Sequence, residues 1–403
     1  MVPKGWSDGE LGDIAHITSG GTPSRDKIEY WVNGTIPWIR TTEVQNCVLN
    51  LEDAKEFITE IGLKKSSAKL VPAGSILLAM IGQGKTRGQV ALLNFEATTN
   101  QNCAVIIFNA NNDPAFYFHY LLSQYENIRG ASNSAGQSNL SGSLVKTIRV
   151  PIPPLIEQQQ IAQILSTWDQ AISVTEKLLE NTVEKKDALM QQLLTGKKHL
   201  LNENGEMFSG TWKSTKVKDI FIPDVLLATN QDFPIFSVTK AGLVNQSEYF
   251  NKAVASEDTS KYRVVKKGRF VMSGLNFWMG SVDVHLIDYP VIVSPAYKVF
   301  EITNLTSPEF MKYFIRSNLF KRLLEVSSVV GASVVRRNFS ESIFNNYEFL
   351  LPSLEEQKKI AEVLSLADQE IETLQKKLDC LKQEKKALMQ QLLTGKKRVK
   401  VAA

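Results

Sequence analysis

Residues 153–198 read PPLIEQQQIAQILSTWDQAISVTEKLLENTVEKKDALMQQLLTGKK, and residues 352–397 read PSLEEQKKIAEVLSLADQEIETLQKKLDCLKQEKKALMQQLLTGKK. At a constant offset of 199 and without a gap, the two agree at 25 of 46 positions, including all eleven from Ala188 to Lys198. A period near 200 in a chain of 403 residues is too long for a solenoid unit and implies one module written twice, head to tail. Heptads place Leu165, Ile172, Leu179, Lys186 and Leu193 at a and Ile161, Trp168, Thr175, Thr182 and Leu189 at d in the first copy. In the second, Leu364, Ile371, Leu378, Lys385 and Leu392 stand at a and Ile360, Ala367, Leu374, Leu381 and Leu388 at d. Each is the seam of a coiled coil.

Ser353-Leu354-Glu355-Glu356 has the form of a capping box. Each copy ends in Leu-Leu-Thr-Gly-Lys-Lys, a glycine stop with cations at the carbonyl end of the helix dipole. Forty residues at ~1.5 Å rise predict a rod of roughly 60 Å. Lys186 and Lys385 interrupt both seams at the same point, either fixing register or reaching for solvent. Two like helices separated by a whole domain are expected to pack antiparallel about a pseudo-twofold axis, with the globular domains at opposite ends. A pure spacer does not explain why Gln191, Gln192, Lys197 and Lys198 recur as Gln390, Gln391, Lys396 and Lys397. Their recurrence predicts a docking surface present twice. The expected division is a globular domain over 1–152, a helix over 153–198, a second domain over 199–351, and a second helix with a basic tail over 352–403.

Both globular segments read as α+β. In the first, residues 36–40, 75–80, 89–93 and 103–108 have strand composition, and a helix is expected from Asp113-Pro114 to Gly130 with Phe116, Tyr120 and Leu121 on its apolar face. The second repeats the signposts. Trp6 and Asp13-Ile14 return as Trp212 and Asp219-Ile220, Val71-Pro72-Ala73-Gly74 as Val265-Lys266-Lys267-Gly268, and Asp113-Pro114 as Ser307-Pro308. Asn338-Phe339-Ser340 follows Asn139-Leu140-Ser141 by 199 residues, after a loop that is longer in the second half. Diverged domains on retained helices predict two different ligands and one partner bound twice.

A hydrophobic content of 43%, 22% charged residues and a net charge of +4 describe an ordinary, mildly basic globular chain that permits an acidic partner without demanding one. Three scattered cysteines with no metal-ligand spacing fit a reducing compartment, and the start lacks the apolar run of a signal peptide, so a cytoplasmic location is expected. The stretch from Ala79 to Thr86 approaches a phosphate-binding loop, but its first glycine is alanine and RGQVALLNF after it reads as a strand. No helix N-terminus would meet a phosphate there. Asn112-Asp113-Pro114-Ala115-Phe116 is explained better as a helix start than as a methyltransferase motif. His16, His119, His199 and His285 are isolated in sequence, so no metal and no catalytic residue is expected.

The run Val150-Pro-Ile-Pro-Pro-Leu-Ile-Glu-Gln158, the ending Leu189-Met-Gln-Gln-Leu-Leu-Thr-Gly-Lys197, their second copies, and Thr18-Ser-Gly-Gly-Thr-Pro23 resemble the specificity (S) subunit of Type I restriction-modification systems over the whole chain. The second half departs by lacking the Gly-Gly-Thr-Pro turn. The resemblance implies two target recognition domains, each reading half of a bipartite DNA site, on helices that set the spacing and dock two adenine methyltransferase subunits. It implies that restriction subunits, ATP-dependent translocase and nuclease, join the assembly. It also implies that S-adenosylmethionine binds those partners and no cofactor binds this chain. On that basis the polar tips supply the DNA contacts: Thr22, Ser24, Arg40, Thr41, Gln83, Lys85, Arg87, Gln137 and Ser138 in the first domain, and Lys240, Asn276, Trp278, Arg336, Arg337 and Asn338 in the second. The alternative is a two-domain DNA-binding or scaffold protein unrelated to methylation, with a nucleotide-binding enzyme behind it.

Overall fold

The computed structural model describes residues 3–82, 84–134, 139–208, 210–229, 233–250, 258–333 and 336–399. The chain divides into two compact units, residues 1–176 with 376–403, and residues 177–375. Each long helix therefore gives its first half to the unit of the domain before it and its second half to the other unit.

In the first unit the strands are β1 (Ser7–Glu10), β2 (Ala15–Ser19), β3 (Ile36–Ile39), β4 (Cys47–Leu49), β5 (Phe57–Ile58), β6 (Ile76–Ala79), β7 (Val90–Leu93), β8 (Thr98–Thr99), β9 (Cys103–Phe108) and β10 (Arg149–Ile152). The helices are α1 (Leu11–Ile14), α2 (Glu60–Lys64), α3 (Pro114–Ser123), α4 (Tyr125–Ser134), α5 (Gly142–Lys146) and the start of the long α6 (Leu155–Leu193). A mixed five-stranded sheet runs β2-β9-β6-β7-β4, beside a smaller sheet β5-β3-β8 and the pair β1-β10. Strand periodicity explains the layering. Ile76, Leu78, Ala104 and Ile106 enter the core shared with the helices, while Leu77, Ala79, Cys103 and Val105 enter a second core on the other face.

The expected helix from Pro114 to Gly130 is two helices that break at Gln124. Asp113 caps the first, its Oδ1 accepting from Phe116 N at 3.0 Å. Its buried face is also wider than the sequence suggested: all four residues from Phe116 to His119 are buried, while Tyr120 is half-buried. Gln158, fully buried near the start of α6, ties helix to domain. Its Oε1 accepts from Asp113 N at 2.8 Å and its Nε2 donates to Pro153 O at 2.8 Å.

The second unit repeats this plan. Its strands are β11 (Lys213–Lys216), β12 (Phe221–Pro223), β13 (Ile235–Thr239), β14 (Gly242–Asn245), β15 (Arg263–Val265), β16 (Arg269–Ser273), β17 (Val282–His285), β18 (Val291–Val293), β19 (Tyr297–Ile302), β20 (Ser328–Ser333), β21 (Arg336–Phe339) and β22 (Glu348–Leu351). Its helices are α7 (Val217–Ile220), α8 (Gln246–Tyr249), α9 (Pro308–Phe314), α10 (Asn318–Val326), α11 (Glu341–Asn346) and the start of α12 (Leu354–Leu392). The sheet β12-β19-β16-β17 matches β2-β9-β6-β7, and β11-β22 matches β1-β10. Gln357 repeats the tie of Gln158, accepting from Ser307 N at 2.9 Å and donating to Pro352 O at 3.0 Å. One difference concerns the interval read as a loop before Asn338, where the structure has the antiparallel pair β20-β21.

The long helices pair antiparallel within each unit. In the first, Lys385 contacts Asp169 and Lys382 contacts Glu176, while Met389, Leu392 and Leu393 share a core with Ile161, Ala162 and Leu165. In the second, Lys186 contacts Asp368 at 2.5 Å, and Leu193 and Leu194 share a core with Ile360, Ala361 and Leu364. The other seam positions, Trp168, Ile172, Leu179, Leu189, Ile371, Leu374, Leu378, Leu381 and Leu388, are all buried or half-buried, as heptad spacing requires. Thr175 and Thr182 sit buried at d because each hydroxyl returns to its own helix, donating to Ala171 O and Leu178 O at 2.8 Å. The two seam lysines do not reach for solvent. Each is mostly buried and held by an aspartate of the opposite helix.

Those ion pairs touch the domains through one differing residue. His119 Nδ1 lies 3.7 Å from Asp169 and its Nε2 lies 3.4 Å from Ser166, whereas at the matching place Tyr313 donates to Asp368 Oδ2 at 2.8 Å. Burial pushes the His119 imidazole down to about 3, with the charge of Lys385 adding to the effect, so the ring is neutral in the fold. Unfolded, it titrates near ~6.5. Between these values the unfolded chain carries the extra proton, so stability is present above pH ~6.5 and is lost as pH falls, by up to ~1.4 kcal/mol per unit from this one group. His119→Tyr installs the hydroxyl of the second unit and should flatten the melting temperature between about pH 6.5 and 4.5; equal slopes in variant and parent would refute the assignment.

The helix ends are clamped as well. Gly395 and Gly196 have φ values of +66° and +69°, and a side chain at either would press on Trp6 or Trp212 at 3.3 Å. Glu157, in the first turn of α6, is part of this clamp. It is buried, accepts from Trp6 Nε1 at 2.9 Å and pairs with Arg398 at 2.6 and 2.7 Å. Glu356, read as half of a capping box, is likewise buried and turns instead to His199 Nδ1 at 2.8 Å; only Ser353 Oγ caps, accepting from Glu356 N at 3.2 Å. His199, which stands 199 residues before Arg398, is therefore a structural group that its sequence isolation concealed.

Candidate nucleic-acid interface

Strand direction gathers the candidate residues of the first domain. β2 and β6 flank β9 and both run antiparallel to it, with Ser19 opposite Ala104 and Ala79 opposite Cys103. β4 runs parallel to β7 with Cys47 opposite Ala91. The connection after β2, the β6–β7 hairpin, the turn before β9 and the loop before β4 thus lie at one end of the sheet. They carry Thr22 and Ser24, Lys85 and Arg87, Gln101, and Arg40 and Thr41. The root of α6 lies at the other end, where Gln158 meets Asp113.

The Gly-Gly-Thr-Pro turn is there because of close packing. A side chain at Gly20 would come within 1.9 Å of Thr99 O, and one at Gly21 within 2.3 Å of Ser67. The turn presents Thr22 Oγ1 to Gln101 Oε1 at 2.6 Å. Beside it, Trp38 Nε1 donates to Gly21 O and Trp31 Nε1 to Ser24 O, both at 3.0 Å, and the Arg25 guanidinium lies 3.7 Å from the centre of Trp31. Arg25 pairs with Glu56 at 2.5 Å, while Arg40 pairs with Glu56 at 2.7 Å and Glu43 at 2.8 Å. Burial alone would raise the Glu43 carboxyl, but hydrogen bonds from Arg40 outweigh it and hold it below the ordinary range. Two guanidiniums matched by two carboxylates make a rigid polar surface with little net charge. It suits base edges better than phosphates. Arg25, Trp31, Trp38 and Glu56 were absent from the sequence-derived set, although aromatics interleaved with cations after the glycine turn are a usable signal.

The hairpin tip is held separately. Tyr125 donates its hydroxyl to Lys85 O at 2.6 Å and receives a hydrogen bond from Arg129 Nη1 at 2.9 Å, leaving the Lys85 side chain exposed and Arg87 half-buried. The hairpin leads into β7, not a helix, so it offers no phosphate cradle. Gln83, Gln137 and Ser138 lie outside the described residues.

In the second domain the matching end of the sheet holds Asn276 and Trp278, in the β16–β17 connection, with Arg337 and Asn338. Here Arg336, Arg337 and Asn338 belong to strand β21, not a loop; the side chain of Arg336 is outside the described residues. The Arg337 guanidinium lies 4.5 Å from the centre of Trp278 and donates to Ser328 Oγ at 3.1 Å. Lys298 lies 5.1 Å from the ring of Phe339. Among the described residues no carboxylate pairs with Arg337 or Lys298, so this surface is cationic where the patch around Arg25 and Arg40 is balanced. Asn276 and Asn338 are exposed. Lys240 is placed apart from them, at the β13–β14 turn, where its carbonyl accepts from Arg316.

At the helix ends, Gln191, Gln192, Lys197 and Lys198 are exposed, and so are Gln390, Gln391, Lys396 and Lys397, although their neighbours Leu193, Leu194, Leu392 and Leu393 are buried. Among the described residues there is no cluster of potential metal ligands and no helix long and apolar enough to cross a membrane.

The family described as Type I restriction modification DNA specificity domain matches residues 3–185 and again 209–383. A Type I restriction enzyme specificity subunit of Escherichia coli is 33% identical over 174 residues, 42% of this chain and 42% of that protein. The MjaIX specificity subunit of Methanocaldococcus jannaschii is 26% identical over 99% of this chain and 95% of its own length. Among solved structures, the S subunit from M. genitalium superposes with a TM-score of 0.57 at 15% identity, covering 97% of this chain and 96% of that one. The HsdS subunit from Thermoanaerobacter tengcongensis does so with a TM-score of 0.51 at 16% identity over 98% of both. At that identity the superpositions speak for the fold.

Proposed function

This chain belongs to the Type I restriction-modification DNA specificity family, and from that premise we propose that it is the sequence-reading subunit of such a complex. Each globular domain reads one half of a bipartite DNA site with the loop end of its sheet, and the paired helices set the spacing between the halves. Two adenine methyltransferase subunits dock on the two helix-end surfaces, and restriction subunits join them in the cytoplasm. S-adenosylmethionine and catalysis belong to the partners. The observation that carries this reading is the contrast within each unit. The exposed helix-end residues are the same in both copies, while the loop ends differ in chemistry: Arg25 and Arg40 are matched by Glu43 and Glu56 in one domain, and Arg337 lies on Trp278 in the other. Identical surfaces suit a partner bound twice, and different ones suit two half-sites.

Co-expression with a methyltransferase subunit, followed by sequencing of methylated adenines, tests the proposal. A stable complex with two such subunits and a bipartite methylated site are expected. A chain that binds DNA but purifies without a methyltransferase would favour the scaffold reading. Arg337→Ala removes the cation that this reading turns to the groove and should relax or weaken recognition of the second half-site by roughly 5- to 150-fold, from ~1–3 kcal/mol per specific contact, with the first half-site unchanged. Unaltered methylation at both halves would remove Arg337 from the interface.

A further inference from the structure

We propose that Leu275 and Met279, at the tip of the β16–β17 connection, read the second half-site through the 5-methyl groups of thymine. The inference rests on the assignment of this chain as a DNA-reading subunit and specifies what one of its surfaces recognises.

Leu275 is 71% exposed and Met279 40% exposed. This exposure is not the result of a slack loop. Ser273 Oγ accepts from Leu275 N at 3.4 Å and from Asn276 N at 3.1 Å. Gly274 N donates to Ala296 O at 3.0 Å, Met279 N to Asn276 O at 3.0 Å, and Gly280 N to Phe277 O at 2.8 Å. Phe277 is fully buried in the core of the domain, and Trp278 lies against Arg337. The tip is thus tied at both ends and anchored in the middle, and it holds two large apolar side chains in water. Covering them with an apolar group of a bound surface recovers hydration free energy at no cost in ordering the tip.

The matching connection in the first domain, between β6 and β7, carries Lys85, Thr86 and Arg87. The corresponding place on the matching sheet therefore bears cations in one reader and two exposed apolar side chains in the other. Around the apolar tip stand Lys298 and Arg337, cations with no carboxylate partner among the described residues. Cations flanking an apolar point match a major groove, where phosphates line the walls and thymine methyl groups project from the floor. Two exposed side chains are far too little for the roughly 800 Å² per partner of a stable protein interface, but they are the right size for one or two methyl groups.

The test uses the chain assembled with its methyltransferase subunits and DNA duplexes in which each thymine of the second half-site is replaced in turn by deoxyuridine, a change that removes only the methyl group. The complex should bind the substituted duplex about 4-fold more weakly per contacted methyl, equivalent to ~0.8 kcal/mol per buried carbon. The Leu275→Ala/Met279→Ala variant should bind both duplexes equally, while its response to substitutions in the first half-site stays that of the parent. Equal binding of thymine and deoxyuridine duplexes by the parent complex would overturn the proposal, as would discrimination that survives in the variant. A complex that methylates no bipartite site at all would overturn the DNA-reading assignment as well, which separates the two failures.

Discussion

A chain ending at about residue 200 is expected to direct methylation to a symmetric site made of two first half-sites, where the full chain directs it to a site with two different halves. The first unit is completed by residues from the far end of the chain, Lys385, Met389, Leu392, Leu393 and Gly395 among them. Their counterparts at the offset of 199 are Lys186, Met190, Leu193, Leu194 and Gly196, identical in type. A second copy of the half-chain can therefore supply what the missing half supplied, including a lysine for Asp169 and a glycine turn against Trp6. His199 would stand where Arg398 stands, and the second unit already shows that a histidine at that place reaches its glutamate at 2.8 Å. Sequencing of methylated adenines from cells carrying the half-chain and the methyltransferase checks the outcome. Absence of any symmetric site, with the half-chain monomeric in solution, would show that the two helices are not interchangeable.

Reversing the charge at Lys385 should lower the melting temperature by roughly 4–8 °C, the shift expected for ~2 kcal/mol in a unit of this size. The Lys385 side chain is 12% exposed and stands at an a position against Asp169, beside a neutral, buried His119. Lys385→Asp places a second carboxylate there with no cation to answer it. Breaking a fully buried pair costs ~3–5 kcal/mol, and solvent reduces that here because Asp169 is 40% exposed. The double variant Asp169→Lys/Lys385→Asp should recover most of the loss. Melting curves in which the double reversal is no better than the single would mean that the lysine is placed by packing alone. The equivalent pair Lys186 and Asp368 gives an internal control, since Tyr313 also donates to Asp368.

Much of this architecture was legible in the residues. The repeated helix, its seam, its glycine stop, the strands at 76–79, 90–93 and 103–108 and the cap at Asp113 all follow from short-range rules of periodicity, capping and turn chemistry. The break at Gln124 and the pair β20-β21 did not follow, because helix ends and strand pairings are settled by hydrogen bonds to segments that local propensity does not see, here the ladder from Ser328 opposite Phe339. The candidate interface was legible only in part. Thr22, Ser24, Arg40 and Lys85 could be named from polar turns, but nothing local reveals that Arg40 is also held by Glu56, or that Trp278 and Arg337 meet.

By itself, the sequence determined that there are two like modules, that each ends in a long amphipathic helix and that those helices pair, because repetition and the 3.5-residue spacing are properties of the chain read along its length. Only the tertiary structure decided what that helix end docks against. Glu157 and Glu356 looked like ordinary helix-start acids, and became buried clamps when chain segments over 150 residues away, at Trp6 and His199, were brought to them. The physical reason is that burial turns a charge of small consequence into one that must find a partner, and burial is set by the fold.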